Sequence, residues 1–340
     1  MSNSVTQALK ILIGHRTLTA DESREAFECI MAGNAGPAEV GAFLGVLATR
    51  IPTSEEILGA ALVMREHVER VPARTDPEQL VDTCGTGGAP KTFNVSTTAA
   101  IVAAAAGAKV AKHGNRSRTG RGSAEALRVV GIQVDADRAT QAACLDELGI
   151  CFCYAVHHHP AIKNVMPVRL ALGIPTLFNL LGPLTNPVGA KRQVMGVYDA
   201  RFLKPIAGAL RALGASRAIV MHSEDGLDEL SISAPTDLVH VTPEGLRAER
   251  VTPEELGLSR APRDAVVARD LDHAAELVRA VISGTERGAP RDMTLMSAAA
   301  ALLVADKVQN LKEGVALAAR TIDEKRAQDV LERWIQRSNA

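Results

Sequence analysis

The chain has 340 residues, of which 46% are hydrophobic and 23% charged, with 27 Gly and 16 Pro; this supplies a large core and excludes disordered, collagen-like and small disulfide-scaffold classes. With 38 basic and 39 acidic residues the net charge is −1, and aromatics are only 3%, which argues against a chain built around nucleic-acid binding. Five cysteines (Cys29, Cys84, Cys144, Cys151, Cys153) without framework spacing, no signal-peptide pattern at the N-terminus and no apolar stretch long enough to span a bilayer predict reduced thiols in a cytoplasmic protein.

The first 70 or so residues read as about four short helices. Val5 to Gly14 has helical apolar spacing, and Thr19-Ala20-Asp21-Glu22 has the form of a capping box before 23–31. Pro37 opens a third helix with Val40, Phe43, Leu44 and Leu47 on one face, and Thr53-Ser54-Glu55-Glu56 starts a fourth, with Ile57, Ala61, Leu62 and Met64 inward. After Pro72 and Pro77 the texture changes. A short strand at 80–84 ends in a glycine cluster, followed by an Ala-rich helix at 96–106, a strand at 109–112 and a polar glycine-rich loop. Helices at 124–130 and 138–148 and a strand at 150–154 follow, then strands at 192–198 and 217–222 around a helix at 202–213; from 263 onward the chain reads as helical. This alternation predicts an α/β layer with a mostly parallel sheet flanked by helices, preceded by a small all-α module. Cys151 and Cys153 on one strand would point the same way, and core packing is the stronger reading for them.

Four segments carry chemistry. Gly85-Thr86-Gly87-Gly88 and the run Thr92-Phe93-Asn94-Val95-Ser96-Thr97 join a strand to a helix, where backbone N–H groups and a helix N-terminus favour a phosphate; the plain alternative is a glycine turn capped by Ser96. Pro90 stands where a dinucleotide fingerprint needs its third glycine, and no Walker A motif is present. Lys112-His113-Gly114-Asn115-Arg116-Ser117, continuing through Arg118, Arg121, Gly122 and Ser123, is the most basic stretch and also lies between strand and helix; Ser123 is a candidate cap. Asp225-Gly226-Leu227-Asp228-Glu229-Leu230-Ser231 offers neighbouring carboxylates at a strand's end, a fit for Mg²⁺ or simply a charged turn. His157-His158-His159 cannot all aim at one metal, which disfavours zinc, and Arg169 in an apolar context calls for a carboxylate or phosphate partner.

In this order and spacing, Gly85-Thr-Gly-Gly, Thr92-Phe-Asn-Val-Ser-Thr, Lys112-His-Gly-Asn-Arg-Ser, Met166-Pro-Val-Arg, Phe178-Asn-Leu-Leu-Gly-Pro-Leu-Thr-Asn-Pro and Asp225-Gly-Leu-Asp-Glu-Leu-Ser closely resemble the anthranilate phosphoribosyltransferase family over nearly the whole chain. The resemblance implies the nucleoside phosphorylase class III fold: a small α domain (1–72, with 168–187 returning to it) beside a large α/β domain (73–167 and 188–340), the active site between them, and a homodimer through the small domain. It implies transfer of the 5-phosphoribosyl group from phosphoribosyl pyrophosphate to the amine of anthranilate, in tryptophan biosynthesis, with Mg²⁺ as two ions. By resemblance Gly85, Thr86, Gly87 and Gly88 wrap the sugar-phosphate chain, and Thr92, Asn94, Val95, Ser96, Thr97, Lys112, Gly114, Arg116, Ser117, Gly122 and Ser123 belong to the substrate site. Asp228 and Glu229, with Ser96, hold the metal; Lys112, His113 and Arg169 are the catalytic candidates. His113, Asn115 and His159 line the amine side, and Arg169 clamps the anthranilate carboxylate.

Two departures stand out. Ala89-Pro90 follows Gly88 where the family often has Asp, and the second loop carries two extra arginines, Arg118 and Arg121, each loop reading as one residue short. The rival readings are a pyrimidine nucleoside phosphorylase-type enzyme of the same fold and a non-catalytic nucleic-acid-binding paralogue.

Overall fold

A computed structural model describes residues 3–117 and 120–340. Helices α1 (Ser4–Ile13), α2 (Ala20–Met31), α3 (Pro37–Ala48) and α4 (Ser54–Glu66) form the N-terminal bundle. Thr19 and Glu22 close the expected capping box, their side chains each accepting from the other's backbone N–H. Thr53 and Glu56 make a second one at α4. Glu56 is fully buried, and its carboxylate also accepts from Leu18 N at 2.9 Å and from both terminal nitrogens of Arg50.

The rest of the chain builds a seven-stranded sheet in the order β3-β2-β1-β4-β5-β6-β7. The strands are β1 (Leu80–Asp82), β2 (Lys109–Gly114), β3 (Ile150–Tyr154), β4 (Arg192–Gly196), β5 (Arg217–Ser223), β6 (Thr236–Thr242) and β7 (Gly245–Val251). The first five pair in parallel and the last two close as an antiparallel hairpin. Between and after them lie α5 (Val95–Ala105), α6 (Ser123–Val130), α7 (Arg138–Leu148), α8 (Met166–Leu172), α9 (Phe178–Leu181), α10 (Leu203–Ala212), α11 (Leu271–Ile282), α12 (Ala289–Val304), α13 (Leu311–Asp323) and α14 (Arg326–Ser338). The described helices include none long and apolar enough to cross a membrane.

Strand alternation divides the interior into two cores. Val194, Ile219 and Met221 face a core shared with α5, α12 and Trp334, whereas Met195, Val197, Ala218 and Val220 face one shared with α4, α10 and the N-terminal bundle. Val165, Leu177, Phe178, Leu180, Leu181 and Leu184 join this second core, so the 165–184 segment returns to the bundle. In the first core, α5 packs on α12, and both are rich in buried alanine: Ala99, Ala100 and Ala103 in one and Ala298 to Ala301 in the other, all at most 1% exposed.

Three expectations need adjusting. The β6–β7 hairpin has no counterpart in the sequence reading, because the edge strand β7 exposes Leu246, Arg247, Ala248 and Arg250 and so lacks the two-residue hydrophobic rhythm. β2 runs to Gly114, two residues beyond its apolar core, since it pairs with β3 as far as Gly114↔Tyr154. Ser123 does not cap α6: Gly122 is the cap residue, and Ser123 Oγ bonds Asn115 O at 3.3 Å instead.

The strand order reverses between β1 and β4. In an open α/β sheet this is where loops leaving the strands' carboxyl ends diverge and form a crevice.

Burial alone would raise the Glu56 carboxyl, but the bonds from Arg50, Leu18 and Thr53 outweigh it and hold it below the usual 4.5. A carboxyl depressed in the fold contributes stability that is present above its ordinary pKa and lost as pH falls. Glu56→Ala leaves Arg50 and two N–H groups without their acceptor; a loss of about 3–5 kcal/mol is expected. A thermal melt should show a midpoint lower by roughly 5 °C or more at pH 7, with the gap narrowing toward pH 3.

Candidate active site

The loop after β1 lies in the crevice. Thr86 N donates to Gly196 O at the end of β4 (2.9 Å), and Thr86 Oγ1 accepts from Tyr198 N (3.1 Å). Gly87 and Gly88 then take left-handed backbone (φ +63° and +94°), a region L side chains avoid. Phe93, buried at 3%, anchors the far end by donating its N–H to Val266 O, and α5 starts at Val95 with its N-terminus toward the crevice. The Val95 side chain is in the core at 1% exposure and its N–H is taken by Phe93 O, so Asn94, Ser96 and Thr97 carry the polar groups here. Thr92 Oγ1 donates to Phe93 O (2.8 Å).

Lys112 points along β2's inner side, 2% exposed. Its ammonium donates to Thr83 O (3.2 Å), Thr83 Oγ1 (3.1 Å) and Ser96 Oγ (3.3 Å). A buried cation is thus held by neutral oxygens at the first turn of α5. The second loop reaches the same place from the other side, since Asn94 Nδ2 donates to Arg121 O (3.4 Å). The extra arginine at 121 does not add charge to the crevice: its guanidinium donates to Ala268 O (2.6 Å) and Arg269 O (3.3 Å), pinning the loop. Arg116 and Asn115 are exposed, and Ser117 Oγ accepts from Arg121 N. Arg118 lies outside the described residues.

The acidic turn completes the arrangement. Gly196 has no room for a side chain, because a Cβ there would meet Asp228 O at 1.7 Å; the turn sits directly on the end of β4. The Gly87 N–H faces the Asp228 carboxylate and the Ser96 N–H that of Glu229, which also accepts from Ser297 Oγ (3.4 Å). Burial raises both carboxyls, and the Asp228 charge adds to the effect at Glu229, pushing it up to about 8. Two adjoining carboxylates and the Ser96 hydroxyl are hard oxygen donors whose mutual repulsion a divalent cation would relieve, the donor set Mg²⁺ takes when it shares a site with phosphates. Ser96 is the meeting point: its N–H faces Glu229, its hydroxyl faces Lys112 and its carbonyl accepts from Thr83 Oγ1 (3.3 Å).

A second cluster lies beside the first. His113 follows Lys112 and its side chain turns the other way. Its backbone N–H donates to Asp82 Oδ1 (3.0 Å), and Asp82 Oδ2 accepts from Asn186 Nδ2 (2.8 Å), which also reaches Ala111 O. Burial pushes the Asp82 carboxyl up to about 6 despite these bonds and the nearby Lys112 charge. His113 Nδ1 lies 3.0 Å from Gly182 O and His113 Nε2 3.3 Å from His159 Nε2. Facing a carbonyl, neutral His113 carries its proton on Nδ1, so His159 donates from Nε2 and its Nδ1 is an acceptor; that atom is buried with no hydrogen-bond partner among the described residues. The other histidines go elsewhere: His157 to Asp135, His158 to Glu69 O and Gln141. Arg169 on α8 is half-buried with its guanidinium 5.2 Å from the centre of the Phe178 ring. Sequence reasoning passed over Thr83, Asp82 and Asn186, the buried polar residues that seat Lys112 and His113. For Asp82 and Thr83 the signal was a polar pair where an apolar run gives way to a glycine cluster.

Residues 6–68 match the helical bundle domain of the glycosyl transferase family and residues 77–328 its a/b domain. An anthranilate phosphoribosyltransferase of Symbiobacterium thermophilum is 48% identical over 94% of this chain and 93% of its own, and one of Rubrobacter xylanophilus 44% identical over 97% and 96%. Among solved structures, the anthranilate phosphoribosyltransferase of Thermus thermophilus superposes with a TM-score of 0.91 at 40% identity, covering 98% of this chain and 99% of that one. The Saccharomyces cerevisiae enzyme, in complex with PRPP and Mg, superposes with a TM-score of 0.89 at 26% identity, covering 99% and 98%.

Burial first, then the neighbouring imidazoles, lower the pKa of both His113 and His159, the latter to about 4. Both rings are therefore neutral at pH 7. A base depressed in the fold contributes stability that is present above its ordinary 6.5 and lost as pH falls toward 4. Imidazole ¹⁵N spectra of the unliganded protein should show neither ring titrating between pH 8 and about 5.5, and His159→Asn should flatten the fall of the thermal midpoint between about pH 6 and 4.

Proposed function

The chain belongs to the anthranilate phosphoribosyltransferase family, and we propose that it carries out the family reaction at the Ser96 junction: the 5-phosphoribosyl group of phosphoribosyl pyrophosphate moves to the anthranilate amine and pyrophosphate leaves. The observation that carries this assignment of residues is the convergence of the β1 loop, Lys112, the second loop and the Asp228–Glu229 pair on one helix N-terminus. Scission at ribose C1 leaves positive character on the sugar and gathers negative charge on the departing diphosphate, so a site for this reaction needs fixed positive groups where that charge appears. Lys112 supplies an ammonium already oriented by Thr83, and the N–H groups of the β1 loop and of α5's first turn supply aligned dipoles. Asp228, Glu229 and Ser96 would hold magnesium, as two ions; when bound, it neutralises diphosphate oxygens.

The acceptor amine is uncharged at neutral pH and its nucleophilicity depends on position more than on a strong base. The His113–His159 pair, neutral and anchored on Gly182 O, offers an oriented polar wall on that side. Arg169 is the clamp for the anthranilate carboxylate, its guanidinium resting on Phe178. The bundle 1–72 with 168–187 is the smaller domain, and the remainder the larger. A homodimer through the smaller one is supported by exposed Ile13 on α1 and by Met166 and Leu170 on α8, with Ile174 just beyond it; both helices pack on α3. The setting is the cytoplasm and the pathway that of tryptophan.

Three outcomes test this. Asp228→Asn with Glu229→Gln should abolish Mg²⁺-dependent consumption of anthranilate, followed by its fluorescence; retained turnover would refute the metal role. Arg169→Ala should raise KM for anthranilate roughly 10–100-fold with KM for phosphoribosyl pyrophosphate little changed, the scale of one charge-assisted pair of bonds. Leu170→Asp should shift sedimentation toward a monomer.

A further inference from the structure

We infer that Asp225, which the transfer reading leaves unused, is the positioning residue that keeps Asp228 and Glu229 in register; the inference rests on reading that pair as the magnesium site. The connection from Ser223, at the end of β5, to Thr236, at the start of β6, is bonded inward on itself. The Asp225 carboxylate accepts from Ser231 Oγ (2.8 Å) and from Ser233 Oγ, and Ser233 N donates to Ser231 Oγ (3.0 Å). Ser231 N in turn donates to Thr236 Oγ1 (3.1 Å), and Glu224 N to Pro235 O (3.0 Å). One carboxylate therefore joins the entrance of the turn to its exit.

Between these tied ends only a short span is free to choose its shape. Ser223 N donates to Leu227 O (2.9 Å), and Leu227 and Leu230 are buried at 1% and 0%. Asp228 and Glu229 are the two residues left between the leucines. The Arg263 guanidinium holds Asp225's own carbonyl (3.2 Å), fixing the hub to the segment before α11. Two carboxyls on adjacent residues share one cation only while the backbone beneath them keeps both aimed at it. A hydroxyl–carboxylate bond is the strong kind that can supply that stiffness. Groups that orient metal ligands from behind typically govern metal affinity by 10–100-fold.

The test is direct metal binding, with Mn²⁺ alone titrated into the full-length protein and free Mn²⁺ read by electron paramagnetic resonance. Asp225→Asn, which keeps the shape but loses the charge, should weaken Mn²⁺ about tenfold or more and speed amide exchange across 224–236, with the thermal midpoint within a few degrees of wild type. Ser233→Ala should lie between the two, and decides the matter if Asp225→Asn does not fold. Glu224→Gln, a surface change, should leave binding unchanged. Wild-type affinity in both folded Asp225→Asn and Ser233→Ala overturns this inference alone, whereas absence of Mn²⁺ binding by the wild-type protein overturns the metal reading on which it rests.

Discussion

The site depends on how a buried ammonium is satisfied without a carboxylate against it. Lys112 is 2% exposed and spends its hydrogen bonds on the Thr83 backbone, the Thr83 hydroxyl and the Ser96 hydroxyl. Neutral oxygens compensate a cation only in part, so its charge still acts on its surroundings, the Asp82 and Glu229 carboxyls among them. Had Glu229 bonded Lys112 instead, the two charges would have quenched each other. The structure keeps them apart by placing Ser96 between them, hydroxyl to one and N–H to the other.

This separation of charges is a product of topology. β1 and β4 lie side by side at the point where the strand order turns, so the loop after β1 leans on Gly196 at the end of β4 while α5 carries Ser96 beneath it. β2 contributes Lys112 and His113 as neighbouring residues on opposite faces, sending one toward Ser96 and the other toward His159. Asp82 and Asn186 hold that register by bonding to the His113 N–H and the Ala111 carbonyl. The Lys112 and His113 clusters are thus separated by the pleat of a single strand.

Much of this was readable from the chain because it is local. The Thr19–Glu22 capping box, the helix at Pro37, and the helix and strand at 138–154 follow from caps, glycine stops and periodicity. Motif order placed the two glycine-rich loops and the acidic turn at strand ends. What was hidden depends on burial. Thr83 and Asp82 look like strand punctuation until Lys112 and His113 are found bonded to them. Arg121 reads as loop charge until its guanidinium is seen on Ala268 O. The β7 edge exposes most of its residues, so the apolar rhythm that marks a strand is missing there.

The alanine seam between α5 and α12 has a consequence of its own. Close-packed, alanine-rich helices leave little room, so a larger residue on either one has to displace its neighbours. Because α5 begins at Ser96's turn, a bulkier neighbour many ångströms from the crevice would be transmitted to it as a change of aim.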